Sequence, residues 1–141
     1  MNKTIFLCAS MAFYKELVHI GEQLEALGFK VFLPVSAQMM KRKNDFEVSH
    51  FKDIFSHSEK AEFIQENFKN IAESDGILVI NNEKNGMKGY IGANVLMEIG
   101  LAFYLLKKIY ILKPIEENAS YKEELLAFGA QFINEDLNSI E

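Results

Sequence analysis

Apolar and polar positions alternate in blocks along the chain, and the blocks change period. The run KTIFLCA over 3–9 is short and continuously apolar, which predicts a buried strand. Ser10 then stands as an N-cap. Leu17, Ile20, Leu24 and Leu27 keep helical spacing and Gly28 follows, so a helix is predicted over 11–27. A second strand over 30–33 stops at Pro34. Residues 35–50 are polar and basic with no clean period, and they read as a loop or lid over the strand ends. Ala61, Ile64, Phe68 and Ile71 share one face of a helix predicted over 56–73. Asp75-Gly76 turns the chain into ILVI over 77–80, a strand whose lack of alternation implies cover on both faces.

The second half repeats the scheme. A glycine-rich loop over 81–92 leads to a helix over 93–107, a strand over 108–112, a helix over 120–128 and a short strand over 130–133. Strands alternating with helices predict a single α/β domain over 1–141. Its expected form is a three-layer, doubly wound parallel five-stranded sheet with flavodoxin-like, Rossmann-like order 2-1-3-4-5. Ligands of such sheets bind beyond the carboxyl ends of the strands, at the switch point between strands 1 and 3. That places 8–13, the residues from Pro34 onward and 81–94 around the expected cleft.

Composition narrows the function classes. The chain has 141 residues, 49% of them apolar, and a net charge of −5. That balance argues against binding a nucleic-acid polymer or an anionic membrane, since phosphate surfaces demand clustered cations. Lys41-Arg42-Lys43 is the one basic triplet and reads as a solvated loop. Cys8 is the single cysteine, so no internal disulfide forms, and no Cys/His cluster has zinc spacing. The N-terminal apolar run is too short for a signal peptide, and a cytoplasmic location is the default expectation. The oily run 89–106 carries Glu98 and three glycines, so it reads as a buried helix and not as a membrane span.

Glu98 is the one charge in that run. Its helical neighbours are Asn94, Val95, Leu101 and Ala102, and no Lys or Arg occurs between Lys88 and Lys107. An ionised carboxylate buried without a partner costs several kcal/mol. Three resolutions stand open: a raised pKa, capture by backbone N–H groups, or exposure to a cleft where the acid is used. Ser10 could present N–H groups of helix 1 to a phosphate or sugar hydroxyl, or serve as a plain cap. There is no G-x-G-x-x-G and no Walker lysine. His19 reads as structural, His50 and His57 as surface residues, and Cys8 as inert core. Phe13, Tyr14 and Tyr90 read as packing residues that could stack on a base.

TIFLCAS at strand 1, SDGILVIN at strand 3 and MEIGLA on the following helix, then KKIYIL, together resemble the nucleoside 2-deoxyribosyltransferase superfamily, which includes deoxynucleoside-monophosphate N-glycosidases. The likeness runs through about the first 115 residues in element order. It implies that Glu98 is the nucleophile that attacks the anomeric carbon of a deoxyribosyl group and releases the base, as in retaining glycosyl transfer. It further implies a small-molecule nucleoside or nucleotide substrate, no metal or organic cofactor, and a site built across subunit contacts, hence a homodimer or larger assembly. The substrate-binding set expected on this basis is Cys8, Ala9 and Ser10 at the end of strand 1, with Asn67, Asn81, Tyr90, Gly92 and Asn94. Two helper positions depart from the family pattern. Gly92 stands where an acid or hydroxyl is usual, and Asn67 stands where an aspartate is usual; an amide cannot donate a proton as an acid does. Phe6 aligns with an aromatic of some members and lacks a hydroxyl. Those departures leave a non-catalytic nucleotide-sensing module on the same fold as the alternative, with a protein-interaction domain as a third reading.

Overall fold

The computed structural model describes residues 3–42 and 55–141. Its sheet has five parallel strands in the order β2-β1-β3-β4-β5. The strands are β1 (Thr4–Ala9), β2 (Lys30–Phe32), β3 (Gly76–Ile80), β4 (Lys108–Ile111) and β5 (Gln131–Phe132). The helices are α1 (Tyr14–Ala26), α2 (Val35–Arg42), α3 (His57–Glu73), α4 (Ala93–Tyr104) and α5 (Lys122–Ala127). The architecture expected from the apolar pattern, and its strand order, are those of the structure. The chain reverses direction across the sheet between β1 and β3, which pair residue for residue from Ile5–Gly76 to Ala9–Ile80.

Every residue of β3 is buried, and the strand feeds both layers. Leu78 and Ile80 join Ile5, Leu7, Leu17 and Leu24 under α1. Ile77 and Val79 join Phe6, Cys8, Ile71, Val95 and Ile99 under α3 and α4. Each such aliphatic side chain contributes about 1.5–3 kcal/mol of transfer free energy, so the continuous apolar run is what makes the strand central.

The helix ends follow local chemistry. Ser10 Oγ accepts from Ala12 N–H at 3.4 Å, and the helix it caps opens as a 3-10 turn over Met11–Phe13 before becoming α-helical. Gly28, at φ +98°, ends α1 as its spacing predicted. Ser56 and Glu59 form a complete capping box at the start of α3. α4 is shorter than its apolar run suggested. It stops at Tyr104 because Leu106 turns into the left-handed region at φ +60° and Lys107 N–H reaches back to Ala102 O.

One expectation is overturned. Residues 35–50 read as a loop, yet Val35–Arg42 is a helix. Ala37 and Met40 are buried three residues apart on its inner face, and Asn67 Oδ1 on α3 accepts from Val35 N–H at 2.9 Å. Two apolar residues and a distant cap hold this helix, so its own sequence carries little period. The remainder of the predicted lid, 43–50 with Lys43 and His50, lies outside the described residues.

Candidate active site

α4 presents two faces to two environments. Val95, Ile99 and Ala102 seal it against the sheet. Asn94 and Glu98, one turn apart, share the face that runs inward from the carboxyl edge of the sheet. Asn94 is exposed at the helix start, whereas Glu98 is only 5% exposed. No described ion pair includes Glu98, so its charge is not compensated by a cation. Burial therefore pushes the carboxyl up to about 8, and the Cys8 thiol beside it, at the end of β1, partly offsets the rise. Cys8 is fully buried, and burial together with the neighbouring carboxyl holds its thiol well above the usual range. Of the three resolutions open to Glu98, the raised pKa is realised, so the neutral carboxyl predominates at pH 7.

A cavity of ≈ 330 Å³ opens at the same edge. Asn94 forms its α4 side, Lys60, Phe63, Ile64 and Asn67 its α3 side, and Ser36 its α2 side. Phe55 also lines it, with its ring edge-on to Phe63 at 4.9 Å between centroids, as does Met11 at the start of the 3-10 turn that follows β1. Ser36 donates its hydroxyl to Met11 Sδ at 3.0 Å. Glu98 does not line this cavity or any other described one; it sits one helical turn deeper than Asn94. Asn67 is buried and its carbonyl is engaged by Val35, so it orders α2 as well as facing the cavity.

The other expected residues fall elsewhere. Asn81 is fully buried at the end of β3. Its amide donates to Lys113 O and accepts from Lys113 N–H, both at 2.8 Å, which extends the sheet ladder and occupies both ends of the group. Ala9 and Tyr90 pack on the α1 side of the sheet. Tyr90 meets Phe13 edge-on, and Lys84 Nζ lies 4.9 Å from its ring centroid and donates to Ser10 Oγ at 3.4 Å. Gly92 caps α4 beneath the Tyr90 hydroxyl, which a Cβ there would approach to 3.3 Å. The expected set thus divides: Cys8, Asn67, Asn94 and Glu98 gather on the α3/α4 side, and Ala9, Ser10 and Tyr90 on the α1 side.

Sequence reading missed Lys60, Phe63 and Ser36. The Ser56-x-x-Glu59 signature was a usable signal. Once it sets the start of α3, Lys60, Phe63, Ile64 and Asn67 fall at i, i+3, i+4 and i+7 on one face. Among the described residues, no group of three or more His, Cys, Asp or Glu could hold a metal ion, and no helix is long and apolar enough to cross a membrane.

Two of the solved structures that share this fold are enzymes named for glycosidic chemistry. One is a 2-deoxyribosyltransferase from the psychrotolerant bacterium Bacillus psychrosaccharolyticus, similar at TM-score 0.59 and 18% identity over 84% of this chain and 78% of that one. The other is the Clostridium botulinum CMP N-glycosidase BcmB, at TM-score 0.56 and 18% identity over 93% of this chain and 87% of that one. No protein-family model and no curated protein sequence matches the chain.

Proposed function

We propose that the protein cleaves or transfers the N-glycosidic bond of a nucleoside or nucleoside 5′-monophosphate, with Glu98 as nucleophile. The observation that carries this reading is an uncompensated carboxyl on the face of α4 that leads from the cavity wall at Asn94 into the protein. The two structural neighbours, which are named for deoxyribosyl transfer and nucleotide N-glycosidase activity, support it. In the first step, which requires the sugar to enter one helical turn deeper than the cavity wall at Asn94, a Glu98 oxygen bonds to the anomeric carbon. The C–N bond breaks and its electron pair leaves with the base. In the second step water or a second base attacks the same carbon, the sugar–ester bond breaks, and the carboxylate is restored. Apolar surroundings leave the ionised form poorly solvated and hence reactive, but they also keep it scarce at neutral pH. Among the described residues no acid lines the cavity, so the departing base takes its proton from water.

The test is chromatographic detection of free base from a panel of nucleosides and nucleotides, with Glu98→Gln as the control. Base release by the wild type and none by the variant supports the reading. Release that survives the substitution removes Glu98 from the chemistry. A second reading, a nucleotide-binding module without turnover, is favoured by the 5% exposure of Glu98. It predicts ligand-dependent thermal stabilisation with no base released by the wild type.

The assembly belongs to the same proposal. The outer face of α4 carries Met97, Gly100 and Tyr104 without a charge, and Met97 and Tyr104 are 51% and 80% exposed. A second copy crossing antiparallel at Gly100, where an added Cβ would meet nothing, sets Met97 of one against Tyr104 of the other. Sedimentation of the wild type as a dimer, and of Tyr104→Glu as a monomer, is the expected result; a monomeric wild type refutes the pairing.

A further inference from the structure

We infer that the cavity at the carboxyl edge of the sheet selects a phosphate monoester through Lys60, so that its ligand is a nucleoside 5′-monophosphate and not the free nucleoside. The inference rests on the reading that this cavity receives the substrate. Its first support is the charge of the lining. Among the described residues Lys60 is the one ionised side chain that lines the cavity, and no Asp or Glu does. Among the described residues no carboxylate pairs with the Lys60 ammonium. Glu59, its neighbour in sequence, is turned to the capping box with Ser56.

The second support is the convergence of helix ends. Ser36 lies in the first turn of α2, Lys60 in the first turn of α3 and Asn94 in the first turn of α4. All three line the same space. A helix N-terminus carries positive potential, so three of them around one cavity favour an anion, although Asn67 already caps α2 and Ser56 caps α3, which leaves uncapped N–H groups only at α4. A lysine is disfavoured at such an end by the same dipole. Its presence in the first turn of α3 therefore works against local helix stability and adds to a potential already positive. A phosphate monoester meets this arrangement; an uncharged ribose does not. The stem of Lys60 and the rings of Phe55 and Phe63 then leave an apolar wall for the rest of the ligand.

The experiment measures calorimetric affinity and base release for matched pairs of nucleosides and their 5′-monophosphates, using wild type, Lys60→Gln and Lys60→Arg. Lys60 is half-buried on a helix held by its own capping box, so both variants are expected to fold, and their melting curves check this. The wild type should prefer the monophosphates by about 10- to 100-fold, as a charge-assisted contact provides. Lys60→Gln should lose most of that margin, keeping only what the helix ends supply, and Lys60→Arg should retain most of it. Equal affinity of the wild type for both members of each pair, or a margin undiminished in Lys60→Gln, overturns the inference. The two readings fail separately. A Lys60-dependent margin in binding with no base released leaves phosphate selection standing without the glycosidic chemistry. Glu98-dependent base release with no margin leaves the chemistry standing without phosphate selection.

Discussion

Replacing Glu98 by Gln should change the pH dependence of stability more than any other single substitution in the core. The carboxyl is 5% exposed and titrates at about 8 in the folded protein, against 4.5 when unperturbed. Below pH 4.5 it is protonated in both folded and unfolded chains and contributes no pH dependence. Between 4.5 and 8 the folded state holds the proton that the unfolded chain has lost, so wild-type stability falls as pH rises through this window. Above 8 both states are ionised, and the full cost is present. A span of about 3.5 units at about 1.4 kcal/mol per unit sets that cost at up to about 5 kcal/mol. The amide has the same shape and no charge, so the variant lacks this slope. Guanidinium unfolding followed by circular dichroism at pH 5 and pH 9 gives the difference directly. Titrating groups remote from Glu98 are common to both proteins and cancel, and making the comparison in a Cys8→Ala background removes the one thiol that the carboxyl influences. Glu98→Gln should gain at least about 2 kcal/mol on the wild type between the two pH values, allowing for relaxation and water entry around the charge. Parallel curves would refute the buried, uncompensated carboxyl on which the catalytic proposal also depends.

Other consequences are equally direct. If Glu98 is the nucleophile, kcat/KM for base release should rise with pH and level off above about 8, because only the carboxylate attacks; a profile that falls over this range contradicts the role. Cys8→Ser places a stronger donor beside Glu98 and should lower that apparent pKa, whereas Cys8→Ala should raise it. Asn67→Ala leaves Val35 N–H without its partner and should destabilise the protein by about 1–3 kcal/mol in denaturant unfolding. Gly89→Ala should cost more than about 2 kcal/mol, since its φ is +67° and the new methyl would collide with Pro114 O; a neutral melting temperature would contradict the close approach of the two loops.

Residues determined the architecture wherever burial and period coincide. ILVI over 77–80 has no polar position, so it lies in the sheet centre under any packing. Ser10, Gly28 and the Ser56–Glu59 pair mark helix ends through bonds within a few residues of themselves. The oddity of Glu98 was equally legible, because no cation stands within a helical turn of it in the sequence.

Tertiary structure decided what depends on distant partners. The helix Val35–Arg42 exists through Asn67, 32 residues away, and through a few buried contacts, so nothing periodic announces it. The burial of Glu98 follows from where α4 meets β1 and Cys8, and that depth sets its protonation state. Asn81 looked available in the sequence and is fully engaged by Lys113 once β3 and β4 lie side by side. The cavity of Ser36, Lys60, Asn67 and Asn94 joins three helix starts that are remote along the chain. Sheet order and helix ends are settled by short-range chemistry and bulk burial, whereas a site is a meeting of segments whose mutual distance no local pattern encodes.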